Sequence, residues 1–282
     1  MSRVLVVCTV GAMSQLLCTG SASANSLVAH WTFDADGSDA LGKHNGNLSG
    51  DAFISSGGSG IAGECLVLDG DGDYWMLDQP TTDFNLSSFT VSLWFRGSLN
   101  QRDMYQLIDL HHGCCHGPGP HGWVAGGQVS TSVLVFGAYG PGGWFGLPRP
   151  DANSLLDDNW HHLVASYAGS DQFSLYIDAG LIGSLAGVPP PTYDGAAPLI
   201  IGRLGCAAQE GYPPNARDFF GRIDDVQIYN HALGASEVSY LYNNPGTTLA
   251  AIPAVSEWGM VAMAALMLAA GAVVVLRRRA VG

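Results

Sequence analysis

The sequence predicts an all-β body, and three observations carry that prediction. Short apolar runs alternate with polar residues at a period of two. No long stretch of the body repeats at the helical period. Gly, Asp, Asn and Pro punctuate the runs at short intervals, as turns between strands require.

Taken in order, the runs are LVAHWTF, ECLVLDG, FTVSLWF, YQLIDLH, SVLVFGAY, HHLVASY, FSLYID, PLIIG and IDDVQIY. In the third, Val91, Leu93 and Phe95 face one side and Ser92, Trp94 and Arg96 the other. Spacing of this kind fits a sandwich or barrel of about 235 residues in one domain. Only residues 235–242, ASEVSYLY, read as a helical turn.

The two ends differ from the body. Residues 1–24 carry one arginine, an apolar stretch and the small residues Ala22-Ser23-Ala24, which is the pattern of a signal peptide cleaved after Ala24. Residues 260–276 hold no charge and are close to the length that crosses a bilayer core. Arg277, Arg278 and Arg279 follow, so residues 277–282 are expected on the cytoplasmic side and the body outside. The expected organisation is therefore signal peptide 1–24, body 25–246, linker and motif 247–259, transmembrane helix 260–276 and basic tail 277–282.

Between the ends, seven basic residues face all 24 acidic ones, a net charge of −17. That excludes a nucleic-acid partner, because a phosphate backbone needs a basic footprint. Twenty of the acids are Asp and four are Glu.

Several segments in this order resemble the laminin-G-like, concanavalin A-like lectin/glucanase domains. They are His30-Trp31-Thr32-Phe33-Asp34, residues 39–42 with Asn45-Gly46, Leu68-Asp69-Gly70-Asp71-Gly72-Asp73-Tyr74, residues 89–95, Trp160-His161-His162-Leu163-Val164, and residues 220–230 followed by Ala232-Leu233. The resemblance implies a jelly roll of two antiparallel sheets with first and last strands adjacent. It makes the Trp-His-His run a strand signature and LDGDGDY a turn. It also implies one structural Ca²⁺ held by Asp39 and Asn45 with Asp224 or Asp225 opposite. Such an ion would draw six to eight oxygens from segments that meet only on folding. The tail is similar to bacterial PEP-CTERM signals of the IPTL-CTERM kind, through Pro253, Ser256, Glu257, Trp258 and Gly259, with Ala254-Val255 departing from the usual pair. That resemblance implies an exosortase-like sorting peptidase as partner, and a place in the cell envelope reached through transient anchoring in the inner membrane.

HHGCCHGPGPHGW, residues 111–123, packs four histidines and two cysteines together. With Cys65 and Cys206, Cys114 and Cys115 are the cysteines left to an exported chain, where disulfides form. A bridge between loops, from this pair to Cys206 or Cys65, stands against a transition-metal site at His111, His112, His116 and His121. Trp123, Tyr139, Trp144, Phe145 and Tyr212 lie in or beside Gly/Pro-rich stretches. They are candidate contacts for a carbohydrate or envelope ligand, or covers for the sandwich edge. A glycosidase on this architecture needs paired carboxylates, commonly Glu-x-Asp-x-x-Glu. Glu64, Glu210, Glu237 and Glu257 form no such pattern, so the expected role is binding without catalysis, with an adhesive structural role as the first alternative and an unrecognised glycoside hydrolase as the last.

Overall fold

The computed structural model describes residues 27–249 apart from 113–120, 142, 170–171, 194 and 206–216. The signal peptide, the sorting motif and residues 260–276 lie outside the described residues. Among those described, no helix is long and apolar enough to cross a membrane.

Two antiparallel sheets stack face to face. The first has eight strands: β1 (Leu27–Trp31), β3 (Phe53–Ile54), β4 (Leu66–Asp69), β6 (Phe89–Gly97), β11 (His161–Ala168), β12 (Gln172–Ile177), β13 (Gly180–Ala186) and β15 (Phe220–Tyr229). The second has seven: β2 (Gly46–Ser49), β5 (Tyr74–Leu77), β7 (Met104–His112), β8 (His121–Gln128), β9 (Val133–Gly140), β10 (Gly143–Pro150) and β14 (Ile200–Ile201). Their orders are β13-β12-β11-β6-β15-β4-β3, with β1 also on β15, and β10-β9-β8-β7-β14-β5-β2. First and last strands therefore pair directly, Trp31 opposite Val226.

The period of two decides what is buried. Val91, Leu93, Phe95, Leu163, Ala165 and Ile223 point between the sheets, and the aromatic centre comprises Trp31, Trp75, Phe89, Trp123 and Phe136. Trp31 meets Trp75 edge-on with centroids 4.9 Å apart. The outer face of the eight-stranded sheet is covered in part by helix α1 (Ala235–Asn243), whose Val238 and Leu241 pack on Val164, Tyr176 and Tyr229. The Glu237 carboxylate accepts the Gly234 N–H at 2.8 Å and opens that helix. Trp94 lies beneath it in a cluster with His162 (4.7 Å) and Tyr242 (5.5 Å), whose own centroids are 6.2 Å apart.

The body runs slightly past residue 246. The Gly246 N–H donates to Asp225 at 2.8 Å, the Thr247 carbonyl accepts from Gln227 at 2.9 Å, and the Leu249 N–H reaches the Tyr229 hydroxyl at 3.3 Å.

Candidate functional site

Among the described residues no helix lies over the outer face of the seven-stranded sheet, which holds a groove of about 440 Å³. Strands β7, β8 and β9 supply its floor through outward residues Gln106, Val124, Gln128, Val133, Val135 and Tyr139. Two outward positions are glycines. A Cβ on Gly137 would stand 2.2 Å from the Trp144 ring, and one on Gly126 would stand 1.8 Å from Gln106 Oε1. These bare backbones let Trp144 lie down on β9 and let the Gln106 amide lie over β8. Trp144 sits opposite Tyr139 in the β9–β10 pairing, with ring centroids 4.8 Å apart. The indole remains 44 % exposed, so it forms an apolar wall rather than a core residue. Gln106 is buried, and its Oε1 accepts no hydrogen bond among the described residues. A buried acceptor left empty costs on the order of 1–3 kcal/mol, a debt that a ligand hydroxyl would cancel.

The groove gathers two of the expected aromatic contacts and rejects two. Tyr139 and Trp144 meet there. Trp123 is on β8 but on the opposite parity, stacked in the core against Phe136 at 5.9 Å and Phe89 at 5.8 Å, so it displays nothing to a ligand. Phe145, next to Trp144, also turns inward and meets Phe173 edge-on at 5.9 Å. Tyr212 lies outside the described residues. Gln106 escaped the sequence reading because nothing in the stretch YQLIDLH signals an orphaned amide. Its only cue is a long polar side chain opposite Gly126, which requires the strand register.

Cys65 is a free, buried thiol. It donates to the Ser55 hydroxyl at 3.4 Å, and burial pushes its pKa up. Its sulfur sits against the Ser55 hydroxyl and the Ser59 carbonyl. Cys114, Cys115, Cys206 and His116 lie outside the described residues. The backbones of His111 and His112 pair with Gly122 and His121 to close a hairpin.

The four expected calcium ligands are not assembled as an oxygen cage. Asp39 accepts four backbone N–H bonds, from His30 (2.9 Å), Leu41 (3.0 Å), Lys43 (3.2 Å) and His44 (3.1 Å). Asn45 Oδ1 accepts the Asp39 N–H at 3.0 Å. Asp224 accepts from Ile61, Ala62 and Asp225, and desolvation pushes its carboxyl up to about 8. Asp225 takes His30 Nε2 and Gln227 Nε2, each at 2.7 Å, and sits in a bulge of β15 at φ 48°. Calcium wants bare oxygens. Here the oxygens face donors, and His30 joins Asp39 to Asp225, so the set does not fit the ion. Asp51, Asp69 and Asp73 do converge, their nearest oxygens within 4.8 Å of one another. Asp73, raised to about 6 by burial, is already engaged by the Asp51 and Asp69 N–H groups and ties up the β4–β5 turn.

Nor do the polar clusters resemble catalytic machinery. Ser92 Oγ and His162 Nε2 lie 2.8 Å apart, but His162 Nδ1 has no partner among the described residues. Both residues are buried under the helix, and burial pushes the imidazole down to about 4. His161 is held between Asp178 (2.8 Å) and Asp157 (3.1 Å) at a strand end. Hydrogen bonds from Asn159 draw Asp157 down to about 2. Glu64 is occupied by Ser55 and the Gly58 N–H.

With fold and groove described, the relationships of the chain can be stated. Residues 69–239 match the Laminin_G_3 family of the concanavalin A-like lectin/glucanases superfamily, and the chain belongs to that family. Residues 250–280 match the IPTL-CTERM motif, a C-terminal sorting signal, so the chain is a surface-sorted member. No curated protein matches it in sequence. Among solved structures it is similar to domain 4 of AbnA, an extracellular GH43 arabinanase of Geobacillus stearothermophilus, in complex with arabinotriose. That likeness has 22 % identity and TM-score 0.54, over 77 % of this chain and 98 % of that one. The binding domain of Paraclostridial Mosquitocidal Protein 1 gives 21 % identity and TM-score 0.58, over 77 % and 52 %. The botulinum neurotoxin serotype D binding domain gives 14 % and 0.58, over 78 % and 52 %. The chain spans about half the length of those two toxin domains. At these identities the likeness concerns the fold.

Proposed function

We propose that this is an exported, non-catalytic binding protein of the cell envelope whose groove on β7–β10 takes a neutral oligosaccharide. The observation that carries the reading is the orphaned Gln106 Oε1 on the floor of a groove walled by the Trp144 and Tyr139 rings. An aromatic face covers the C–H side of a sugar ring, and a fixed amide oxygen selects a hydroxyl. The sorting signal supports delivery to the surface through the inner membrane, with an exosortase-like peptidase as processing partner.

The test is an array of neutral oligosaccharides, arabinotriose among them, probed with the whole chain and with Trp144→Ala. Binding that disappears with the indole supports the reading. Absence of binding to every neutral glycan overturns it in favour of a purely adhesive sandwich.

A further inference from the structure

A second feature lies on the other sheet, beyond the reach of the helix. Arg96 on β6 and Arg222 on β15 stand directly opposite one another in the antiparallel register. Both point outward and line one cleft of about 290 Å³. Like charges placed directly opposite on a sheet repel and destabilise it. Sheets that keep such pairs normally neutralise them, and this body, at −17, has carboxylates to spare. Yet the arginine ion pairs among the described residues are Arg102–Asp71 and Arg203–Asp218, and neither Arg96 nor Arg222 joins a carboxylate. Arg222 donates from Nη1 to the Ser59 carbonyl at 3.3 Å and also lies against the buried Cys65 thiol.

The surroundings are mixed in a specific way. Phe220 and Val67 supply apolar surface beside the guanidiniums, and Ser98 a hydroxyl. Exposed Phe53 extends the same row, paired with Val67 on β3–β4. Exposed Asp69 and Asp158 stand at the rim, acceptors for hydroxyls and repellent to a second anion. The cleft is at the small end of the ligand range, on the order of 300 Å³. A hollow sharing Asp69 and Phe220 continues it past Asn100 and Arg102.

We infer that the Arg96–Arg222 cleft is a subsite for the carboxylate of an acidic sugar, a uronate residue of a polysaccharide. Two guanidiniums present planar donor forks to one carboxylate, which relieves their repulsion. Phe220 and Val67 cover the carbon face of the ring. The site is separate from the groove of the neutral-sugar reading and stands or falls without it.

The test uses the whole chain and a tetramer of galacturonic acid, with the galactose tetramer and inorganic phosphate as comparison probes, by calorimetry at low salt. The uronate tetramer binds, the galactose tetramer binds at least tenfold more weakly at this site, and added salt weakens the uronate. Arg96→Gln and Arg222→Gln each cost about tenfold in affinity and the double variant about a hundredfold. Thermal melting of the double variant is unchanged or raised, because a like-charge pair has gone. Trp144→Ala leaves uronate binding intact, so failure of the groove reading is distinguishable from failure of this one. Uronate affinity insensitive to the double substitution, no uronate binding at all, or phosphate bound as tightly as the tetramer would each overturn the assignment.

Discussion

Trp94 and Trp144 occupy comparable places: each projects outward from a sheet, and each has a ring close by. Trp94 clusters with His162 and Tyr242 under the terminal helix and is 4 % exposed. Trp144 has Tyr139 beside it and bare Gly137 below it, and it is 44 % exposed. The same residue type is structural on one face and available on the other. What separates them is whether the chain supplies a cover. Residues 231–249 fold back over one outer face, and among the described residues no helix does so over the other.

The comparison can be broken or sharpened by measurement. Trp94→Ala should cost about 3–5 kcal/mol in urea unfolding, because a packed ring and its cavity are lost. Trp144→Ala should cost no more than about 1 kcal/mol, since nearly half of its surface already faces water. Equal costs would erase the distinction.

A second contrast depends on pH. His162 titrates near 4 when folded, below its ordinary range near 6.5, because burial opposes its charged form. The stability it contributes is complete above about 6.5 and is lost as pH falls towards 4, at about 1.4 kcal/mol per unit. The cost of His162→Gln should therefore shrink by roughly 2–3 kcal/mol between pH 7 and pH 4.5 in paired denaturation curves. A cost that is flat across that range would mean the covered face is wetter than its burial indicates.

Gly137→Val should push the Trp144 ring off β9 and weaken saccharide binding about tenfold by calorimetry. Gln106→Leu should also lose the ligand, yet raise stability by about 1 kcal/mol, since it removes an unsatisfied buried acceptor. A Gln106→Leu variant that lost stability would show the amide to be structural. The smallest effect is expected from chelation. With Asp39 and Asp225 already engaged by protein donors, the melting temperature should not move when a chelator is added.

Strand positions were legible in the alternating runs, because period two needs only local sequence; the closure of β1 on β15 came from the family resemblance, since no local pattern reports a pairing between the two ends of the body. The groove was half legible. GWVAGG and GGWFG look alike as Gly-rich stretches around a tryptophan, and neither shows by itself which way its ring turns. They are strands β8 and β10. Which tryptophan faces in depends on one residue of parity, fixed by pairings far along the chain. The same limit hid the arginine pair: Arg96 could be placed outward from its own run, but its partner could not be known without the β6–β15 register. The calcium expectation meets a different limit. Acidic residues at the right positions do not reveal whether their oxygens meet a cation or the N–H groups of their own loop.

The hydrogen bonds that fasten residues 246–249 bear on mechanics. Immediately beyond them the sorting signal begins, so a pull on that end of the chain reaches Asp225, Gln227 and Tyr229 first. These belong to β15, a strand flanked on both sides by partners, β6 on one and β1 and β4 on the other. Tension would thus be shared in shear along a middle strand instead of peeling an edge.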